Sequence, residues 1–166
     1  MSYCTLDDLK NALPEEKLIQ LTDDENLFQS TDDEEDPAPT TIDPDDEDCA
    51  AIIERINDAI DYADQLIDGY LRSRYTLPLS AAPKFVTKLS VDLALFYLYG
   101  RRFDTEIPEG QTKRYDNCIK ILGNIQAGKI SLGTGETEPE APLDGGYKTN
   151  KTSDDRIFSK IALDAF

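Results

Sequence analysis

The chain reads as an all-α protein: two short N-terminal helices, a long acidic loop, three longer helices packed as a bundle, and an extended C-terminal tail. Three observations predict this. Apolar residues recur at steps of three and four over long stretches, where β-strands would alternate at period two. Prolines fall at the edges of those stretches and not inside them. The one strongly acidic segment carries no apolar period at all, so it punctuates the helices.

Thr5 followed by Asp8 is a capping pair, after which Leu6, Leu9 and Leu13 share a helical face. Pro14 ends this helix and suits the first position of the next, whose apolar side is Leu18, Ile19 and Leu21. Asp43-Pro44 can cap a long helix in which Cys49, Ile53, Ile56, Ile60, Ala63, Ile67 and Tyr70 form a stripe ending near Arg72. Roughly 28 residues at 1.5 Å each make a rod of about 40 Å. The opposite face carries Glu54, Asp58, Asp61, Asp64 and Asp68 as a row of negative charge.

Tyr75 to Leu79 is expected to be extended, because Pro78 disfavours helix at Leu77. Pro83 opens a further helix with Phe85, Leu89, Leu93, Phe96 and Tyr97 to Tyr99, and Val86, Val91, Leu95 and Leu98 make it apolar on several sides. Such a helix is central in its domain or in an assembly. Gly100 marks its end, with Arg101 and Arg102 just beyond. Gln111 to Gln126 is a last helix with Tyr115, Cys118, Ile119, Leu122 and Ile125 on one face, closed by Gly128 as a left-handed cap. Lys129 to Gly133 is a short extended piece. Residues 1–133 thus form one helical domain with the acidic loop, 23–43, inside it. Residues 134–166 form a flexible tail ending in an apolar segment, 156–166.

The 166 residues hold 34 acids, 17 bases and no histidine, for a net charge of −17. The missing histidine removes the commonest general base and zinc ligand. The acidity excludes a chain that coats nucleic acid through phosphate contacts. No apolar run approaches the ~20 residues that span a bilayer, and the N-terminus does not read as a secretion signal, so a soluble intracellular protein without a membrane partner is expected. The distribution of charge matters more than its sum. Residues 1–71 carry a net of −19, residues 72–129 a net of +5, and residues 130–166 a net of −3.

Cys4, Cys49 and Cys118 are far apart and lack metal or redox spacing, so they are read as small packing residues. Asp32 to Asp36 and Asp43 to Asp48 offer many oxygens, but neither run has the central glycine of a calcium loop. No phosphate-binding, dinucleotide or nucleophile motif occurs. Catalytic, cofactor and metal residues are therefore expected to be none, and the protein is not expected to be an enzyme. The tail ends in Arg156, Ile157, Phe158, Ile161, Leu163 and Phe166, five of them apolar. This segment either folds back on its own domain or docks on a neighbouring protein, and docking is the functional expectation.

Several segments, in order, resemble one family: Leu18 to Asp23, Ala63 to Leu71, Arg74 to Leu79, Asp92 to Tyr99, Lys113 to Asp116, Gly128 to Gly133, and Arg156 to Ser159. Together they are similar to the Mu-like bacteriophage head–tail joining family; the acidic loop is longer and more acidic than that family's pattern. The resemblance implies a structural virion protein of the neck, a connector or head-completion adaptor that forms a homo-oligomeric ring of twelve copies. Its partners would be the portal protein on one side and an adjoining neck or tail-terminator protein on the other. DNA would pass through the lumen without sequence-specific binding. The chain would be assembled in the bacterial host cytoplasm and carry no cofactor. The charge division suits a head-to-tail contact between copies, with Asp58, Asp61, Asp64 and Asp68 facing Arg72, Arg74, Arg101 and Arg102. A mostly acidic lumen would let DNA slide past. The competing reading is an acidic helical DNA-mimic that inhibits a DNA-binding protein.

Overall fold

Helix is the only regular structure of more than an isolated bridge in the computed structural model, which describes residues 2–24, 41–79, 81–102 and 106–133. All of these lie in one compact unit, Met1–Glu136. The central part of the acidic loop and the tail, including Arg156, Ile157, Phe158, Ile161, Leu163 and Phe166, lie outside the described residues.

The first helix, α1 (Leu6–Ala12), begins as the sequence suggests. Thr5 Oγ1 accepts from the Asp8 amide at 3.3 Å while Asp8 Oδ2 accepts from the Thr5 amide at 2.9 Å, a reciprocal capping box. Pro14 stands one place earlier than expected: it is the cap of α2 (Glu15–Thr22), and its carbonyl accepts from Lys17 and Leu18. Leu18, Ile19 and Leu21 are buried, as the spacing requires.

The third helix, α3 (Ala50–Leu71), is shorter than the sequence suggests, about 33 Å long for its 22 residues. Asp43 does not cap it. The Asp43 side chain instead accepts from the Asp45 amide at 3.0 Å, a local turn that competes with helix. A short 3-10 turn, Glu47–Cys49, then leads in. Upstream, the buried Ile42 is pinned to the N-terminal helices. Its amide donates to Glu15 Oε2 at 2.7 Å and its carbonyl accepts from Lys10 Nζ at 2.8 Å.

The chain turns through the buried Tyr75 and Leu79, with a cis Leu77–Pro78 peptide, into α4 (Lys84–Gly100). This is the central helix, with Val86, Leu89, Val91, Leu93, Ala94, Leu95, Leu98 and Tyr99 all buried. The last helix, α5 (Glu109–Gln126), starts two residues before its expected position. It ends in a Schellman motif: Gly128, at φ 77°, donates to Ile125 O at 3.0 Å and Lys129 donates to Asn124 O at 2.9 Å. Helices α3, α4 and α5 all pack on one another, with α1 against α4 and α2 against both α3 and α4.

Candidate assembly surface

The α3 row of acids does not stay whole in three dimensions. Glu54, Asp58 and Asp61 are exposed, but Asp64 is buried. It lies four residues after the buried Ile60 and three before the buried Ile67, which puts it on the core stripe. There it accepts from the Tyr3 amide at 3.1 Å and from the Ser90 hydroxyl of α4 at 3.0 Å. Burial pushes the Asp64 carboxyl above the ordinary carboxylate range, opposed by those hydrogen bonds and reinforced by Asp61. Asp68 is half-buried and accepts from the Tyr3 hydroxyl. Burial and that carboxylate together push the Tyr3 phenol up.

Ser90 also lies 3.2 Å from Cys4 Sγ. The Ser90 hydroxyl is thus shared between the Asp64 carboxylate and the Cys4 sulfur. Burial raises the Cys4 thiol to about 11, and likewise Cys118. All three cysteines are free and buried, which fits packing residues.

Three of the four candidate arginines serve the chain's own fold. Arg74 reaches the end of α5 and donates to Ile125 O at 2.8 Å, beside Gly128. Arg101 grips Asp24 with two nitrogens, at 3.0 and 2.6 Å, and donates to Leu21 O at 3.3 Å. Arg55 adds a contact to Asp24 at 3.4 Å, and the Asp24 carboxyl is held below its usual range chiefly by its hydrogen bonds to Arg101. Arg102 donates to Gln20 O. Only Arg72 stands exposed at the end of α3. The pairings of Arg74, Arg101 and Arg102 link residues 51 to 82 positions apart, which no local pattern shows.

The surface that remains is aromatic as well as charged. Tyr62 of α3 and Tyr97 of α4 are both exposed and stack with ring centroids 4.6 Å apart. Beside them Phe96 stacks on Tyr115 of α5 at 4.1 Å. Tyr62, Phe96, Tyr97, Gly100 and Arg101 line a cleft of about 280 Å³. At the other end of α4, Phe85 is exposed between Lys84 and Lys88; Lys88 pairs with Asp92 at 2.6 Å, and Arg114 approaches the same carboxylate at 3.9 Å. Sequence reasoning placed Phe85 and Tyr97 in the core because they are apolar on an apolar helix. The signal for Phe85 is its neighbour Val86, which takes the inward position.

Among the described residues no group of three or more Cys, Asp or Glu side chains is placed to hold a metal ion, and no helix is long and apolar enough to cross a membrane. The buried Asp64 is tied to a backbone amide and a hydroxyl inside the bundle, and the buried Asp92 is paired with Lys88. What the arrangement offers outward is contact chemistry: stacked rings, an acidic helix face and a separate lysine pair.

A family model described as bacteriophage Mu, Gp36 matches residues 3–151. Gene product J of Escherichia phage Mu is 27% identical over 160 residues, covering 96% of each chain. The Mu-like prophage FluMu protein gp36 of Haemophilus influenzae is 27% identical over 92 residues, 55% of this chain and 62% of that protein, so the match spans less than two thirds of it.

Proposed function

Because the chain belongs to the bacteriophage Mu Gp36 family and is thus a Mu-like phage protein, we propose that it is a structural component of the virion neck. In this reading it is a head–tail connector that forms a ring below the portal and has no catalytic role. The observation that supports it most is the outward contact chemistry: exposed stacked aromatics beside an acidic helix face, with a basic stretch elsewhere on the same bundle. Such a surface suits repeated association with copies of itself and with flat ring faces above and below. The chain's net charge of −17 would repel a passing duplex and leave it free to slide. Two ring-facing partners follow from the position, the portal protein and an adjoining neck or tail-terminator protein. Segment 156–166 is the element proposed to strengthen that attachment.

The DNA-mimic reading loses ground on one observation. A phosphate track needs a continuous exposed row, and burial of Asp64 with capture of Asp68 by Tyr3 shortens it to Glu54, Asp58 and Asp61. Mass photometry and negative-stain microscopy of the full chain mixed with its portal protein test the proposal. A ring bound to the portal is the expected result; no association at any concentration overturns it.

A further inference from the structure

Among the described residues, three large apolar side chains stand exposed: Tyr62 at 43%, Phe85 at 44% and Tyr97 at 36%. Scattered exposed apolar residues are ordinary, but these three divide into a hole and a knob. Tyr62 and Tyr97, stacked on each other, line the cleft of about 280 Å³ together with Phe96, Gly100 and Arg101, whose guanidinium is already held by Asp24. That volume lies just below the range of small-molecule pockets and suits one anchoring side chain. Phe85 is such a side chain, presented on the rigid first turn of α4.

A copy cannot fill its own cleft. Phe85 and Tyr97 are twelve residues apart on one helix, about 18 Å along its axis. The cleft needs a second molecule, and the charges beside it say which kind. Asp61 adjoins Tyr62 and Asp58 lies one turn earlier, both exposed. Lys84 adjoins Phe85 and Lys88 lies one turn later. Tyr62 therefore has one acid on its own helical face, Asp58, and a second adjoining it, while Phe85 has Lys88 on its face and Lys84 adjoining it, so the two patches carry opposite signs. Lys88 already has Asp92 as a partner, whereas Lys84 has no ion-pair partner among the described residues.

We infer that Phe85 of one copy enters the Tyr62–Tyr97 cleft of a second copy, with Lys84 and Lys88 set against Asp58 and Asp61. The two surfaces are different patches of the same subunit, so the contact is head to tail. Contacts of that kind close into a ring when the rotation allows and otherwise extend as a filament. The inference rests on the ring reading above for its setting, and it replaces the arginine side of the contact expected from sequence.

The test uses the full chain carrying Asp61→Cys together with Lys84→Cys, which leaves Tyr62, Phe85 and Tyr97 in place, oxidised mildly and run on a denaturing gel. Cys4, Cys49 and Cys118 are buried and do not compete. The expected result is a ladder of disulfide-linked multimers from the double variant and monomer from each single variant, because 84 meets 61 of a second copy and never itself. Phe85→Ala should weaken self-association about tenfold with unchanged helicity. Single variants that cross-link to dimers, or a double variant that multimerises without a ladder, overturn this contact and leave the ring proposal standing. Native mass photometry on the same samples separates the two. A wild-type chain that stays monomeric with and without portal protein overturns both.

Discussion

Asp64 of α3 accepts a hydrogen bond from Ser90 of α4 at 3.0 Å, and the same carboxylate receives the backbone amide of Tyr3. One buried side chain thus ties the N-terminal segment to the central helix pair. Replacing Asp64 by Ala leaves the Tyr3 amide without its acceptor and should destabilise the fold by about 1–3 kcal/mol in urea titration. Asp64→Asn keeps an acceptor and should remain folded.

The pH dependence of that pair of proteins has a defined sign. The folded-state pKa of Asp64 is raised, chiefly by burial. Its contribution to stability is fully present below the ordinary carboxylate pKa of about 4 and is lost as pH rises through the raised value. Stability of Asp64→Asn minus that of wild type should therefore increase with pH from about 4 upward. A difference that is flat across this window, or that falls, contradicts the burial of an ionisable group here.

Asp24 titrates with the opposite sign. Its carboxyl is held below the usual range, first by the hydrogen bonds from Arg101. The stability it contributes is present above the ordinary carboxylate pKa and is lost as pH falls through the depressed value. The Asp24 side chain is 40% exposed, so solvent screening limits the pair to about 0.5–1 kcal/mol. A double-mutant cycle of Asp24→Asn and Arg101→Ala should return that coupling at pH 7 and lose it in acid. Reversing Arg101 to Glu should lower the melting temperature before it changes any assembly.

Gly128 and Arg74 close the end of α5 together. A Cβ at Gly128 would sit in the left-handed region at φ 77° and 3.5 Å from the Arg74 guanidinium. Gly128→Ala should cost about 1–2 kcal/mol, mostly from backbone strain. Arg74→Met should destabilise by about 1 kcal/mol through the lost bond to Ile125 O. Thermal denaturation of the single and double variants checks both values.

Thiol labelling reports the same interior. With Cys4 and Cys118 raised to about 11 by burial, neither should react with an alkylating reagent at pH 8 on the timescale of a surface thiol. All three cysteines should react once the chain is unfolded in urea. Prompt labelling of the native protein would show that the packing around Cys4, Ser90 and Asp64 is not formed.

The helices were legible because their apolar periods are long and their edges carry proline or glycine, as at Pro83 and Gly128. The start of α3 was not, because the Asp43 side chain serves its own turn and leaves the helix to begin at Ala50. The acidic row was legible in outline and wrong at Asp64, although its spacing from Ile60 and Ile67 holds the correction. Arginine roles could not be read at all. Arg74, Arg101 and Arg102 find carbonyls and a carboxylate brought near only by the fold. Exposure of Phe85 and Tyr97 is likewise a tertiary property, since an aromatic residue on a helix apolar on several sides is assigned to the core.

The central claim is that this protein joins heads to tails, and electron microscopy of particles from a phage lacking the gene tests it most directly. The account predicts DNA-filled heads and finished tails lying separate, rejoined when the purified full chain is added back. Complete virions with heads attached to tails in the absence of the protein would contradict it.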